Sequence, residues 1–313
     1  MKQGIRFIYV GELIRTPWAP DHLGIIQGLS QLKNEGVISE WKIVDPVLYP
    51  DKVVQDCNAF NADLIVHGNT DSLDREWCRE IKAPQAFFMG DVQLSKDKYH
   101  NWNNWIKNSG QFQGLFISNR DQLGMWSEAF KAPAYFWPHG CYVLDKLEKD
   151  DAFKHDLLFI GAMNNGGDYQ TRFNLITRLN ELYPVDHLTR DDVDGRNQIW
   201  RDLSKLYHSS NFVLDVSHFW NIDGYASGRY WYSGGYGACS LTKRFPGCEE
   251  FYEDKVHKLY FDTPEEAKEL IEFYSKHDDS REKIKIAAYE RNKNRHNYKV
   301  RFLDMFDKLG IKI

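Results

Sequence analysis

A chain of 313 residues is long for one hydrophobic core and suits two domains of about 150 residues each. With 42% hydrophobic and 27% charged residues and a formal net charge of −5, its composition excludes intrinsic disorder and a surface built throughout for nucleic acid. No run approaches the roughly 18 apolar residues of a membrane span, and Met1 leads straight into a strand-like segment rather than a signal-peptide apolar region, so a cytoplasmic location is expected.

Short β-rich runs alternate with helical stretches along the whole chain. Ile5 to Val10 reads as a buried strand, followed by a loop with Pro17 and a helix from about Asp21, its expected N-cap, to Asn34. Trp41–Val44, Asp63–Val66, Ala86–Met89, Gly114–Ser118 and Ala134–Trp137 continue as strands, with helices expected over Asp51–Phe60, Leu73–Ile81 and Gln122–Phe130. The charged segment Leu144–Lys154 reads as a linker. A second series then starts: strand Asp156–Ile160, helix Tyr169–Leu182, strand Val185–Leu188, helix Asn197–His208 and strand Asn211–Val216. A helix near Gly228–Tyr236, strands at Ala238–Leu241 and Leu259–Phe261, a helix opened by Thr263-Pro264-Glu265-Glu266, and helical segments over 280–309 complete it. Continuous apolar runs separated by helices are the mark of parallel sheets covered on both faces, here two doubly wound α/β domains in tandem. Ligand loops of such domains lie at the strand carboxyl ends, so a ligand between the domains is expected.

Several chemistries find no motif. There is no G-x-G-x-x-G after Val10 or Ile160, no Walker A lysine and no G-x-S-x-G elbow. Cys57, Cys78, Cys141, Cys239 and Cys248 are odd in number, widely spaced and without a C-x-x-C pair, which reads as ordinary thiols. Asp192-Val193-Asp194 has the form of a metal-holding D-x-D, but its polar loop reads better as a solvated helix cap, so no metal is expected.

Two glycine-bearing loops carry the positive signal. Gly161 to Asp168 follows the first strand of the second series and precedes a helix, with Arg172 one turn in. Small residues admit a ligand to the backbone, and the helix start offers amides to an anion; a flexible turn with a surface arginine is the plainer reading. Gly224 to Ala238 follows the strand ending Asp215-Val216-Ser217, and Arg229 there is suited to a pyrophosphate through its planar fork of donors. The neighbouring Tyr/Trp cluster suits either base stacking or interdomain packing.

Over about residues 156–306 the chain resembles the glycosyltransferase group 1 family, in its spore-maturation-protein CgeB-like branch. The resemblance rests on Leu158-Phe159-Ile160-Gly161 with Arg172, on Leu206-Tyr207 before Phe212–Ser217, and on Arg229-Tyr230-Trp231 before Gly237. Pro246-Gly247-Cys248-Glu249-Glu250-Phe251 and the tail Arg295–Arg301 add to it, while Gly11, Asp91 and Pro138-His139-Gly140 match more loosely in the first half. It implies the GT-B fold: two Rossmann-like domains with parallel sheets facing across a cleft, an acceptor-side domain over 1–146, a nucleotide-sugar domain over 147–292 and a final helix over 293–313 crossing back. It further implies a metal-independent transferase with no cofactor beyond its donor, a nucleotide sugar such as a UDP-sugar, and an acceptor saccharide, small molecule or modified DNA. Gly161, Asn164, Gly166, Arg172, Tyr232, Gly234, Lys243 and Glu250 become donor-binding candidates; Gly11, Trp18 and His139 acceptor-binding ones; Arg229, Asp91 and His22 catalytic ones. His67 and Asp71 are weaker candidates. The family's pair of donor-contacting glutamates is replaced here by Gly224 and Tyr232, so the ribose contact passes to Glu249 or Glu250, or the donor is held differently. Two rivals stand beside this reading: a DNA-base glycosyltransferase, to which the eight Lys/Arg between Arg281 and Arg301 would contribute, and a non-catalytic nucleotide- or sugar-binding protein.

Overall fold

The computed structural model describes residues 4–12, 19–68, 76–92, 107, 110–164, 170–189 and 196–313. The chain forms two compact units, one of residues 1–17, 25–139 and 298–313, the other of residues 18–24 and 140–297.

The first unit is a six-stranded sheet in the order β2-β1-β3-β4-β5-β6. Its strands are β1 (Ile5–Val10), β2 (Ile38–Val44), β3 (Leu64–His67), β4 (Gln85–Met89), β5 (Phe112–Ile117) and β6 (Ala134–Phe136). Every pairing is parallel, so both faces must be covered by helices. Phe7, Leu64, Val66 and Phe116 pack on α1 (Pro20–Asn34) and on the last helix, α10 (Tyr298–Lys308), whose Phe302 and Phe306 meet Phe7 edge-on at 5.3 and 6.0 Å. Ile8, Val10 and Ile65 face α2 (Val53–Phe60) instead, as the two-residue period of a strand requires. The eight-residue helix α3 (Leu123–Phe130) closes the β5 side through Trp126 and Phe130.

The second unit is a five-stranded parallel sheet in the order β11-β10-β9-β7-β8. Its elements are β7 (Leu157–Ile160), α4 (Gln170–Leu182), β8 (Asp186–Leu188), α5 (Arg196–Ser209), β9 (Phe212–Asp215), α6 (Gly228–Gly235), β10 (Ser240–Lys243), the one-turn α7 (Cys248–Phe251), β11 (Leu259–Phe261), α8 (Pro264–Tyr274) and α9 (Asp278–Arg295). Phe159, Leu214, Leu241 and Phe261 bury against α4 and α8; Leu158, Val213, Ile199 and Leu203 fill the other face.

Local starts and stops follow residue chemistry, with some departures from the sequence pattern. Thr263 caps α8 as expected, accepting from the Glu266 amide at 3.1 Å, with Pro264 next. Pro20 rather than Asp21 opens α1, leaving Asp21 as a first-turn acid that suits the helix dipole. The expected Asp51–Phe60 helix is a 3₁₀ turn at Pro50–Lys52 followed by α2. The described part of the expected Leu73–Ile81 helix is a 3₁₀ turn at Glu76–Glu80. Within the expected linker, Asp150 accepts from the Ala152 amide and caps a 3₁₀ turn at Asp151–Phe153. All five cysteines are free and buried. Among the described residues no helix is long and apolar enough to cross a membrane.

Candidate donor-phosphate site

In the second sheet β7 lies between β8 and β9, so the chain leaves β7 and β9 in opposite directions. The crevice outside the carboxyl ends at such a switch point is where open α/β sheets bind ligands. Arg229 spans it. Its Nε donates to the Ile160 carbonyl ending β7 at 3.2 Å, and its Nη1 donates to the Val216 carbonyl beyond β9 at 3.3 Å. Nη1 also reaches Ser227 Oγ at 3.0 Å, and the Ser227 amide in turn donates to Ser217 Oγ at 2.9 Å. The guanidinium is thereby fixed by the ends of both strands before any ligand arrives.

A second cation lies beside it. Arg172, in the first turn of α4, is 2% exposed and donates to the Ala162 carbonyl at 2.6 Å, with His218 Nδ1 3.4 Å from its Nη1. Both guanidiniums rest on the ring of Phe159, Arg229 at 5.4 Å and Arg172 at 5.8 Å from its centroid. His187, at β8, stacks on the same ring at 5.6 Å and donates Nε2–H to the Gly161 carbonyl at 2.7 Å. One aromatic ring therefore organises two arginines and a histidine around the β7 turn.

Beneath α6 a buried ion pair joins the helix to the sheet. Lys258 Nζ donates to Asp215 Oδ2 at 3.3 Å and to Ser233 Oγ at 2.8 Å, beside the rings of Tyr230 and Tyr252. Burial raises the Asp215 pKa, against the pull of Lys258 and Arg229, and lowers that of Lys258. Further along α6 the Tyr232 phenol donates to Asp21 Oδ2 at 2.8 Å, and burial followed by that carboxylate holds its pKa well above the usual phenol value.

Residues 162–307 match a family model described as glycosyl transferase-like. Solved structures match almost the whole chain: Anabaena HepE in complex with UDP-glucose is 12% identical with a TM-score of 0.59, covering 98% of this chain and 99% of that one. Sucrose-phosphate synthase from Thermosynechococcus elongatus is 10% identical with a TM-score of 0.60, covering 97% and 98%. A DNA-modifying β-glucosyltransferase is 11% identical with a TM-score of 0.60, covering 99% and 100%. The fold is GT-B, with two parallel-sheet α/β domains. No curated protein matches the sequence.

Of the residues singled out in sequence, Arg229, Arg172 and Gly161 come together at the β7/β9 switch point. Asn164 is exposed three residues past Gly161, and Gly166 lies outside the described residues. Tyr232 sits one turn beyond Arg229. Gly234 lies in the last turn of α6, where a Cβ would stand 1.9 Å from Asn292 Nδ2, so its bareness admits α9. Lys243 ends β10, paired with Asp262 at 3.2 Å and set over Trp220 at 5.7 Å. Glu250 is exposed on α7 and its carbonyl accepts from Arg291, while the Glu249 carboxylate is engaged by Arg244.

In the first unit, Gly11 follows β1 with its amide on the Val44 carbonyl at 3.0 Å, and Asp91 is exposed two residues past β4. His139 donates Nε2–H to the Gly90 carbonyl at 3.0 Å, and its own carbonyl accepts from Arg301 at 3.1 Å. His22, in the second unit, lies half-buried in the first turn of α1. Trp18, Asp71, Asp192 and Asp194 lie outside the described residues. His67 is fully buried against Gln85 Oε1 at 2.9 Å, and burial brings its pKa down to about 4. Among the described residues no three His, Cys, Asp or Glu gather as metal ligands would.

Phe159, His187 and Lys258 were not singled out in sequence. Phe159 reads as one more apolar strand residue, and nothing in Val185-Asp186-His187-Leu188 marks its histidine. Position beside a switch point is the signal that identifies Phe159 and His187, and burial against Asp215 the one that identifies Lys258; both require the fold.

Proposed function

We propose that this protein is a glycosyltransferase that moves a sugar from a nucleoside diphosphate sugar, a UDP-sugar, to an acceptor hydroxyl. The observation that carries the reading is the pair of guanidiniums on Phe159, one of them clamped across the β7/β9 switch point. The glycosyl transferase-like segment and the structural likeness to HepE with UDP-glucose support it.

In this reading the bond between the sugar C1 and the β-phosphate oxygen breaks, and a new bond forms from C1 to the acceptor oxygen. Charge accumulates on the departing diphosphate, where Arg229 and Arg172 are already oriented and need no reorganisation. The acceptor proton goes to Asp91 or His22 in an inverting reaction, or to the donor phosphate in a retaining one; the anomer of the product separates the routes. Glycine-bearing turns and cationic side chains supply the stabilisation, so the reading requires no metal. The PGCEEF segment and the Arg295–Arg301 tail support placement in the CgeB-like branch. Five free cysteines suit a reducing cytoplasm.

A donor-hydrolysis assay across UDP-, GDP-, ADP- and TDP-sugars tests the proposal. Turnover with UDP-sugars, reduced at least about a hundredfold in Arg229→Ala, is expected. Stabilisation by nucleotide without turnover from any donor would instead favour a binding protein. The likeness to a DNA-modifying β-glucosyltransferase supports a second reading in which the acceptor is a hydroxylated base. That reading requires DNA binding that weakens steeply with salt.

A further inference from the structure

Two serines flank the Arg229 clamp, Ser217 two residues past β9 and Ser227 immediately before α6. Ser227 stands at the N-cap position, where a serine oxygen ordinarily accepts from an amide of the first turn. Here its side chain makes no capping bond, and the Tyr230 amide donates to the Ser227 carbonyl instead at 3.0 Å. The hydroxyl is committed elsewhere, and its partners fix which way its proton points.

A serine hydroxyl has one proton to donate and two lone pairs to accept with, whereas a guanidinium can only donate. Arg229 Nη1, 3.0 Å from Ser227 Oγ, therefore fills one lone pair. Ser217 Oγ accepts from the Ser227 amide at 2.9 Å and donates its own proton to Ser227 Oγ at 3.3 Å, which fills the other. With both lone pairs engaged, the Ser227 O–H is turned away from Arg229 and Ser217, and among the described residues nothing accepts it. Ser217 is buried and Ser227 half-buried, so the outer of the two hydroxyls is the one left with a proton to give. A guanidinium donating to the same oxygen polarises that O–H and makes it a stronger donor.

We infer that Ser227 is a third diphosphate-binding group beside Arg229 and Arg172, and that Ser217 is the positioning residue that orients it. The inference rests on the nucleotide-sugar reading of the switch-point site and adds a neutral donor to its two cations. A phosphate oxygen is the complement of such a hydroxyl: it is charged, it only accepts, and it makes no demand on lone pairs already filled.

Calorimetric titration of UDP and of uridine into the full chain tests the assignment. Ser227→Ala should bind UDP about tenfold more weakly, the effect of one hydrogen bond to a charged group, with uridine affinity unchanged. Ser227→Thr keeps the hydroxyl and should recover most of the loss. Removing the serine oxygen also deprives Arg229 of a partner, and a double variant separates the two effects. Arg229→Ala/Ser227→Ala should bind UDP about tenfold more weakly than Arg229→Ala alone. Circular dichroism checks each fold; should Ser227→Ala not fold, Ser227→Gly, well tolerated at an N-cap, carries the same expectation. UDP affinity unchanged in Ser227→Ala, an equal loss in Ser227→Thr, or a loss that disappears in the Arg229→Ala background overturns the assignment. A wild type that binds no UDP overturns the nucleotide-sugar reading with it, whereas a loss in Arg229→Ala without one in Ser227→Ala overturns this assignment alone.

Discussion

Gly161 and Arg229 fit together because the first has no side chain: a Cβ at Gly161 would stand 2.6 Å from Arg229 Nη2 and 3.0 Å from the Phe159 ring. The turn after β7 and the arginine of α6 are thus shaped to one another, and the guanidinium can lie over the end of the sheet only while that turn stays bare.

Gly161→Ala should therefore move the guanidinium without dismantling the domain. The clash falls on the end of a flexible side chain, so the loss of stability should be about 1 kcal/mol. UDP affinity should drop about tenfold, and calorimetric titration beside a denaturant curve measures both. Unchanged affinity would mean that the guanidinium is not a ligand group.

The buried Lys258–Asp215 pair gives a prediction about stability alone. Both side chains are essentially inaccessible, at 0% and 1% exposure. Lys258→Met leaves a buried carboxylate without its cation and should cost about 3–5 kcal/mol. Adding Asp215→Leu should recover most of that loss, because two apolar groups replace two desolvated charges. Urea denaturation of the single and double variants closes the cycle; a double variant as weak as the single would show that the pair itself contributes net stability.

Gly234 tests helix packing. A methyl group there meets Asn292 Nδ2 at 1.9 Å, in a buried seam where Asn292 also bonds Trp231 and Tyr252. Gly234→Ala should cost about 1–3 kcal/mol, and Gly234→Ala/Asn292→Ala should restore part of it.

His67 sets a pH dependence in the first unit. It is held neutral by burial with a pKa of about 4, against 6.5 for an ordinary histidine, and Nδ1 has no partner among the described residues. The unfolded chain takes up the proton first as pH falls, so the folded state loses stability between pH of about 6.5 and 4, and this contribution levels off below. Its full size is about 3 kcal/mol. Denaturant titrations between pH 7.5 and 4.5 should show a flatter slope in His67→Phe than in the wild type; equal slopes would contradict a neutral buried histidine.

Much of this architecture is legible in the residues, because strand and helix periods are local. Apolar runs such as Phe212-Val213-Leu214 and Leu157-Leu158-Phe159-Ile160 announce buried parallel strands, and the serine- and glycine-rich loop before Arg229 announces a helix start at a strand end. What sequence spacing does not reveal is partnership across the fold. Nothing in the residues around Lys258 marks it, and only the fold shows it buried against Asp215 and Ser233. Gly234 reads as one more glycine of its stretch, and only the fold shows that α9 needs the space. Phe159 reads as core filling, and only the strand order shows that its ring supports two arginines drawn from helices 57 residues apart in number, at positions 172 and 229.

The central claim is that Arg229 and Arg172 hold the diphosphate of a nucleotide sugar. The most direct measurement is the binding of UDP and of uridine to the wild type and to Arg229→Ala, with folding of the variant checked by circular dichroism. The account predicts that UDP affinity falls at least about tenfold in the variant while uridine affinity stays the same. A folded variant that binds UDP as tightly as the wild type would contradict it.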